Sequence, residues 1–317
     1  MPSDIGCGLP PGVSATVCTV GTFDGVHRGH QLVLARLREA AEARGVPAVL
    51  VTFEPHPLQV VNPAAAPPRL TVATERLEAL AGPWLDYVVV LPFTPTLATY
   101  DAAAFVDEVL RRRLGLVHLL VGHDHGFGRG REGDESVLRA LGEARGFTVE
   151  SVPPVTASDG QPISSTAIRR AVAQGDLDRA AEGLGHPYGV AGRVVPGAGR
   201  GRTLGFRTLN VALSAAHKLL PPEGVYAVRV QTPAGAFDGM LNLGPRPTFG
   251  DATTTIEAHL FDASLDLYGA SVRIDFVARL RETRAFPSAE ALMTQLAADE
   301  RAARERLQRG PQALVRD

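Results

Sequence analysis

Two histidines three residues apart, His27 and His30, sit in the stretch GTFDGVHRGH at residues 21–30, directly after the apolar run ATVCTV. A strand that ends at Gly21, turns through Gly25 and enters a helix at HRGH presents backbone N–H groups and the positive helix end to an anion. The imidazoles add directional donors. Their spacing can put both on one side of the first helical turn, while Gly29 lets a ligand approach the backbone. Such a set suits transfer at phosphorus, where charge collects on equatorial oxygens and is met by fixed donors. Taken alone, HxGH is equally a tight turn with two surface histidines.

Other segments carry related chemistry. TFEPHP (52–57) ends an apolar run and brings His56 to the same sheet edge, although by itself the string is a turn. ISSTAIRRA (163–171) starts a helix with Ser164, Ser165 and Thr166 and adds Arg169 a turn later. That is a second phosphate clamp, or ordinary capping beside a solvated arginine. VVPGAGRGRTLGFRTLN (194–210) is Gly-rich between two strands and holds Arg200 and Arg202, so it reads as a phosphate cradle or as a long barrel loop. In IEAHLF, alternation sets Ile256, Ala258 and Leu260 opposite Glu257 and His259. GHDHGFG (122–128) is not expected to bind a metal, because its crowded His, Asp and His cannot easily converge on one ion.

These groups need elements to place them. ATVCTV (15–20), PAVLVTF (47–53), DYVVVLPF (86–93), VHLLVG (117–122) and FTVESV (147–152) read as strands. Between them, residues 30–45 form a helix with Val33, Leu34, Leu37 and Ala41 inward and Gly45 closing it. Residues 101–115 repeat the pattern with an Asp101 cap, Phe105, Val106, Val109 and Leu110 inward, and Gly115 after the end. Alternating strands and helices imply an α/β domain with a parallel sheet covered on both faces, whose ligands sit at the strands' carboxyl ends. NPAAAPPR (62–69) reads as a mobile loop beside that edge. After about residue 185 the strands are short, alternating and without intervening helices, which predicts a small antiparallel β-barrel or sandwich. A final helix over 288–307 follows, with Ser288 as cap and Leu292, Met293 and Leu296 inward. Residues 175–187 read as the joint, giving expected domains 1–184 and 185–317.

A chain of 317 residues with 45% apolar and 21% charged residues can bury two cores. Its formal charge of −2 argues against a general nucleic-acid binder. No apolar run is long enough to cross a bilayer, and the N-terminus lacks a signal-peptide pattern, so a cytoplasmic protein is expected. The two cysteines, Cys7 and Cys18, read as free thiols, with Cys18 in the core. Oligomeric state is not legible, and a homo-oligomer stays open.

In this order the segments are specific, and the chain resembles the bacterial bifunctional riboflavin kinase/FMN adenylyltransferase family almost end to end. The resemblance runs through GTFDGVHRGH, TFEPHP, FGRGREGD, ISSTAIR, LGHPYGVAGRVV, GRTLGFRTLN, PPEGVYAV, LNLGPRPTF, IEAHLFD and LYG. It implies a Rossmann-like HxGH nucleotidyltransferase domain that joins ATP to FMN, giving FAD and pyrophosphate, followed by a riboflavin kinase-like barrel. Carried over, His27 and His30 would stabilise the α-phosphorus in transfer. Gly21, Phe23, Asp24, Gly29 and His56 would shape the ATP site with Asp124, which matches the family's DF or NF pair, while His125 departs from its aromatic residue. Ser165, Thr166 and Arg169 would hold ATP phosphates.

In the barrel the resemblance assigns Gly197, Gly201 and Gly205 to the ATP loop, and Thr208 and Asn210 to phosphates and Mg²⁺. Glu257 would be the general base on riboflavin, and Arg281, in LRETRAF, part of a flap over the flavin. The implied small molecules are thus riboflavin, FMN, FAD, ATP and Mg²⁺. The family's PTAN reads here Arg207, Thr208, Leu209, Asn210, where arginine removes a rigid φ and adds charge beside the metal, and Leu209 replaces a small residue in a tight turn. An adenylyltransferase with an impaired kinase is therefore the alternative. A flavin-binding regulator without turnover and an HxGH transferase for another phosphate ester complete the set.

Overall fold

Runs of valine and leucine set the first half's strands where expected: β1 (Thr16–Val20), β2 (Ala48–Glu54), β3 (Tyr87–Pro92), β4 (Leu116–Gly122) and β5 (Thr148–Val152). The computed structural model describes residues 10, 12–123, 128, 132–197, 206–245 and 254–309. The chain divides into two compact units, Met1–Pro67 with Ala73–Ser164, and Pro68–Val72 with Ser165–Asp317.

In the first unit all strand pairs are parallel, in the order β3-β2-β1-β4-β5. Both faces are covered, so adjacent residues of one strand serve different cores. Val17, Leu50 and Leu120 pack under helix α1 (Arg28–Arg44) with Val33, Leu34, Leu37 and Ala41. Cys18, Val49 and Leu119 face Phe105, Val106, Val109 and Leu110 on the other side. Burial pushes the Cys18 thiol up to about 12. Gly45 ends α1 in the left-handed region at φ 63°, where its N–H reaches the Ala41 and Glu42 carbonyls.

Short helices α2 (Pro57–Val61), α3 (Ala73–Leu80) and α4 (Pro95–Ala98) follow the second and third strands. The helix expected over 101–115 is interrupted. Asp101 caps α5 (Ala102–Phe105) through the Ala104 N–H at 2.7 Å, and the chain then widens into a π-helical segment, Val106–Arg111. Its apolar face is still inward. Helix α6 (Glu135–Arg145) precedes β5. The segment 62–69 is not simply a loop: Pro63–Ala65 makes a 3₁₀ turn, and Arg69, 2% exposed, bridges to Lys218 in the second unit's own core.

The second unit opens with α7 (Ser165–Gln174) and α8 (Leu177–Leu184), the latter within the stretch expected as a joint. Six strands close an antiparallel barrel in the order β10-β7-β6-β11-β8-β9. They are β6 (Gly189–Val195), β7 (Leu209–Leu213), β8 (Gly224–Thr232), β9 (Gly235–Pro245), β10 (Thr254–Leu260) and β11 (Ser271–Arg281). Strand β7 corrects the sequence reading, which ran loop through residue 210: Leu209 starts a strand and does not sit in a tight turn. The final helix, α9 (Ala289–Gln308), is capped by Ser288 as expected. Ala303 and Leu307 pack on Ala227, Met240 and Phe261, whereas Met293 is 45% exposed and does not face inward.

Candidate functional site

The order β3-β2-β1-β4-β5 reverses direction between β1 and β4, which opens a crevice at the strands' carboxyl ends. The loop after β1 lies there, and its backbone is unusual. Phe23 (φ 48°), Gly25 (φ 86°) and Val26 (φ 41°) all occupy the left-handed side. For a β-branched residue that is a strained conformation, worth roughly 1–3 kcal/mol, held only by its surroundings. Gln31 contributes by donating from Nε2 to the Val26 carbonyl at 2.9 Å.

This loop brings the two histidines face to face. Their ring centroids lie 3.6 Å apart at 18°, and Phe23 stacks on the outer side of His30 at 4.5 Å. His27 is 6% exposed and caps α1, its Nδ1 accepting from the His30 N–H at 3.3 Å. An accepting Nδ1 carries no proton, so the neutral ring keeps its hydrogen on Nε2 as a donor. Gly29 makes room for this ring, since a Cβ there would stand 3.2 Å from His27 Cε1 and Nδ1. Gly21 similarly makes room for the Phe23 ring, and Asp24 is fully buried.

His56 is also a cap. Its Nδ1 accepts from Leu58 N–H at 3.2 Å, while Gln59 returns the bond to the His56 N–H at 3.0 Å. The two loops are tied by a residue the sequence did not single out. Arg76 of α3, 1% exposed, donates to the Thr22 carbonyl at 3.3 Å, the Phe53 carbonyl at 3.2 Å and Glu54 Oε2 at 2.8 Å. Within TERLEAL it looks like one more charged residue on a helix, and only the fold turns it inward.

The Ile163 carbonyl passes 3.8 Å from a Cβ placed on Gly29, and two residues later the chain enters α7 with Ser165 and Thr166. Those two and Arg169 belong to the second unit, where Arg169 Nε donates to the Pro68 carbonyl at 3.0 Å. Asp124, His125, Gly201 and Gly205, with Arg200 and Arg202, lie outside the described residues. Among the described residues no cluster of His, Cys, Asp and Glu could hold a metal ion.

In the barrel, register does what sequence spacing cannot. Glu257 pairs with Asn210 on one side and Asn242 on the other, and Asn242 continues through Val225 to Arg281. Paired residues share a face, so a carboxylate flanked by two carboxamides stands opposite buried Ile256, Ala258 and Leu260. Asn242 was missed because only pairing, not proximity along the chain, places it there. A Cβ at Gly197 would collide with the Asn210 carboxamide, so that glycine lets the strand end and Asn210 come together.

Thr208 directly precedes β7 and is steered by its neighbours. His259 Nδ1 donates to the Arg207 carbonyl at 2.8 Å, and Arg207 Nη1 donates to Ser264 Oγ at 2.8 Å. The arginine's charge is thereby directed to the rim of a cavity of about 240 Å³, lined by Arg207, Thr208, Leu209, Ser264, Asp266 and Tyr268 among others. Thr283 of the flap-like segment would lie 3.5 Å from a Cβ on Gly244, beside Asn242. Arg281 is engaged by α9: Asp299, 3% exposed, accepts from its Nε at 3.0 Å and Nη2 at 2.7 Å, and from Gln295 at 2.7 Å.

Burial shifts the titration of three groups in the scaffold. Burial, then Arg44, holds the His118 imidazole below its ordinary range, and burial does the same to His186. Burial raises the Asp275 carboxyl, with Arg273 opposing.

A parallel sheet with paired histidines at its reversal point is joined in one chain to a barrel with a carboxylate between carboxamides, and the similarities of both halves are to transferases of phosphorus-bearing groups. The FAD synthetase family model matches residues 11–167 and the riboflavin kinase model residues 184–307. The bifunctional riboflavin kinase/FMN adenylyltransferase of Pseudomonas fluorescens is 44% identical over 93% of this chain and 94% of its own. The Escherichia coli K12 protein of the same description is 40% identical over 91% and 92%. A solved structure described as a macrolide-efflux protein from Streptococcus pneumoniae is 30% identical, with a TM-score of 0.83 over 92% of this chain and 94% of that one. Among the described residues of the present chain, no helix is long and apolar enough to cross a membrane. The chain belongs to the bifunctional riboflavin kinase/FMN adenylyltransferase family.

Proposed function

We propose that this chain phosphorylates riboflavin to FMN at the barrel and adenylylates FMN to FAD at the loop after β1, with activity modules 1–184 and 185–317. What supports the reading is that each half gathers its own polar set: the stacked histidines in one, and the Asn210–Glu257–Asn242 row in the other.

In adenylylation an FMN phosphate oxygen attacks the α-phosphorus of ATP and pyrophosphate leaves. That nucleophile is already an anion, so no base is required. His27, donating from Nε2, and His30 meet the charge that grows on the phosphoryl oxygens, while Gly21, Phe23, Asp24, Gly29 and His56 hold the loop and its neighbour in place. Ser165, Thr166 and Arg169 supply the hydroxyls and charge for ATP phosphates, with Asp124 shaping the nucleotide site.

Riboflavin is a neutral alcohol, and there a base is needed. Glu257 takes the ribityl hydroxyl proton as that oxygen attacks the γ-phosphorus, and ADP leaves. Thr208 and Asn210 offer oxygen donors suited to Mg²⁺, which when bound would neutralise phosphate charge. Gly197, Gly201 and Gly205 line the ATP loop, the 240 Å³ cavity beside Thr208 takes part of the nucleotide, and Arg281 fixes the base of the flavin flap. The Arg207 departure is compatible with a working kinase, because its side chain is drawn to Ser264 and its carbonyl is held by His259. Riboflavin, FMN and ATP are the partners, in the cytoplasm, without nucleic acid.

The test follows label from ATP carrying it at the α or the γ phosphorus, with Mg²⁺ and riboflavin. We expect γ label in FMN and both labels in FAD. His30→Ala stops FAD formation and spares FMN formation, whereas Glu257→Gln stops FMN formation and leaves supplied FMN convertible to FAD. Riboflavin left untouched by the parent chain would remove the kinase claim, and loss of both reactions in either folded variant would refute two separate sites.

A further inference from the structure

Arg76 is an arginine brought inside the first unit, 1% exposed, where the histidine mechanism assigns it nothing. A buried guanidinium must be met by acceptors. Here they come from two separate loops: the Thr22 carbonyl after β1, and the Phe53 carbonyl with Glu54 Oε2 at the end of β2. Glu54 has a side chain 37% exposed, so an ion pair alone would not require the guanidinium to lie under both loops. The planar fork can reach several acceptors at once, which a lysine ammonium on a flexible stem does less well.

We propose that Arg76 is a positioning residue for adenylyl transfer, holding the His27–His30 pair through the Thr22 carbonyl. The inference rests on the reading of that pair as the adenylyl-transfer site. Thr22 immediately precedes Phe23, which keeps a φ of 48° and stacks on His30. The Thr22 carbonyl also accepts from Thr52 Oγ1 at 3.4 Å, so a second contact from β2 reinforces the fork. Left-handed Phe23 and Val26 persist only where neighbours over-determine them. Without the fork, the Thr22 peptide can turn, Phe23 can leave its strained φ, and the Phe23–His30–His27 stack loses its outer support. Arg76 touches no reacting atom in this scheme and acts through the loop it holds.

The full chain tests this with Arg76→Met and Arg76→Lys beside His30→Ala, reading kcat and KM for FMN adenylylation and, in the same preparations, riboflavin phosphorylation. Arg76→Met lowers kcat for FAD formation by about 10- to 100-fold, the scale of small misplacements in an active site. KM for ATP and FMN moves little, Arg76→Lys recovers part of the loss, and FMN formation is unchanged. A kcat within about twofold of the parent, or a loss expressed wholly in KM, overturns the inference. So does hydrogen exchange showing that Arg76→Met has lost protection throughout β1, β2 and α1, since the arginine then serves folding alone. If His30→Ala makes FAD at the parental rate, the reading of the pair falls and the inference with it. An inactive His30→Ala beside a fully active Arg76→Met sinks the inference alone.

Discussion

Replacing Gly29 by alanine separates stability from catalysis with a single methyl group. The added Cβ would stand 3.2 Å from His27 Cε1 and Nδ1, closer than side chains ordinarily settle, so the imidazole must retreat by a few tenths of an ångström. It has little room. His27 is 6% exposed, with His30 stacked at 3.6 Å and its Nδ1 committed to the His30 N–H at 3.3 Å. The retreat therefore carries both rings and re-aims the Nε2 donor. Removing a fixed donor outright costs about 10²–10³ in kcat, and a shift of a fraction of an ångström costs a fraction of that, about tenfold. Backbone preference works the other way, because alanine is favoured over glycine inside a helix by up to about 1 kcal/mol. The expected outcome is a first-unit melting temperature equal to or above the parent's, kcat for FAD formation down about tenfold, and unchanged FMN formation. Turnover of supplied FMN with a pyrophosphate readout, turnover of riboflavin with an ADP readout, and scanning calorimetry measure the three. A folded Gly29→Ala chain that makes FAD within about twofold of the parental rate would refute the claim that the ring's position matters.

Two further perturbations probe the scaffold. Asp299→Ala leaves the Arg281 guanidinium, with its side chain 19% exposed, without its carboxylate and should destabilise the second unit by about 3 kcal/mol, with Asp299→Asn losing less; a calorimetric change below about 1 kcal/mol would contradict it. His118 and His186 are held neutral chiefly by burial, so their folded pKa lies below the unfolded value of about 6.5. Stability that they contribute is fully present above that pH and is lost as pH falls from there through the folded pKa, at up to about 1.4 kcal/mol per pH unit for each group. Denaturant melts between about pH 7 and 5 should show the decline. His118→Gln should flatten it, and an unchanged slope would refute the assignment.

Much of this architecture is legible before any coordinates, and for physical reasons. Strands buried on both faces leave continuous apolar runs, which is why β1, β2 and β4 fall within a residue or so of their expected bounds. Asp101, Ser288 and Gly45 announce helix ends because their local bonding is written in the chain itself. What fails depends on distant partners. β7 hides behind a Gly-rich stretch, since LNVAL acquires ladder partners only from β6 and β10. Asn242 joins Glu257 through register, Arg76 becomes internal through tertiary packing, and Met293 points outward because the helix presents Asp299, Ala303 and Leu307 instead. The histidines themselves were found, but their stacking and the capping role of His27 required the strained loop to be seen.

The five residues Pro68–Val72 have a practical consequence for anyone who would separate the two activities. Lys218, 6% exposed, donates to the Leu70 carbonyl at 2.6 Å, and backbone bonds join Arg69 to His217 and Leu219. The second unit is thus discontinuous in sequence: it borrows a short segment from far upstream, and no single cut releases it whole. A fragment beginning at residue 185 forfeits α7, α8 and that segment together. During synthesis the borrowed strip emerges nearly a hundred residues before Ser165, so the second unit draws on chain laid down well before its contiguous part.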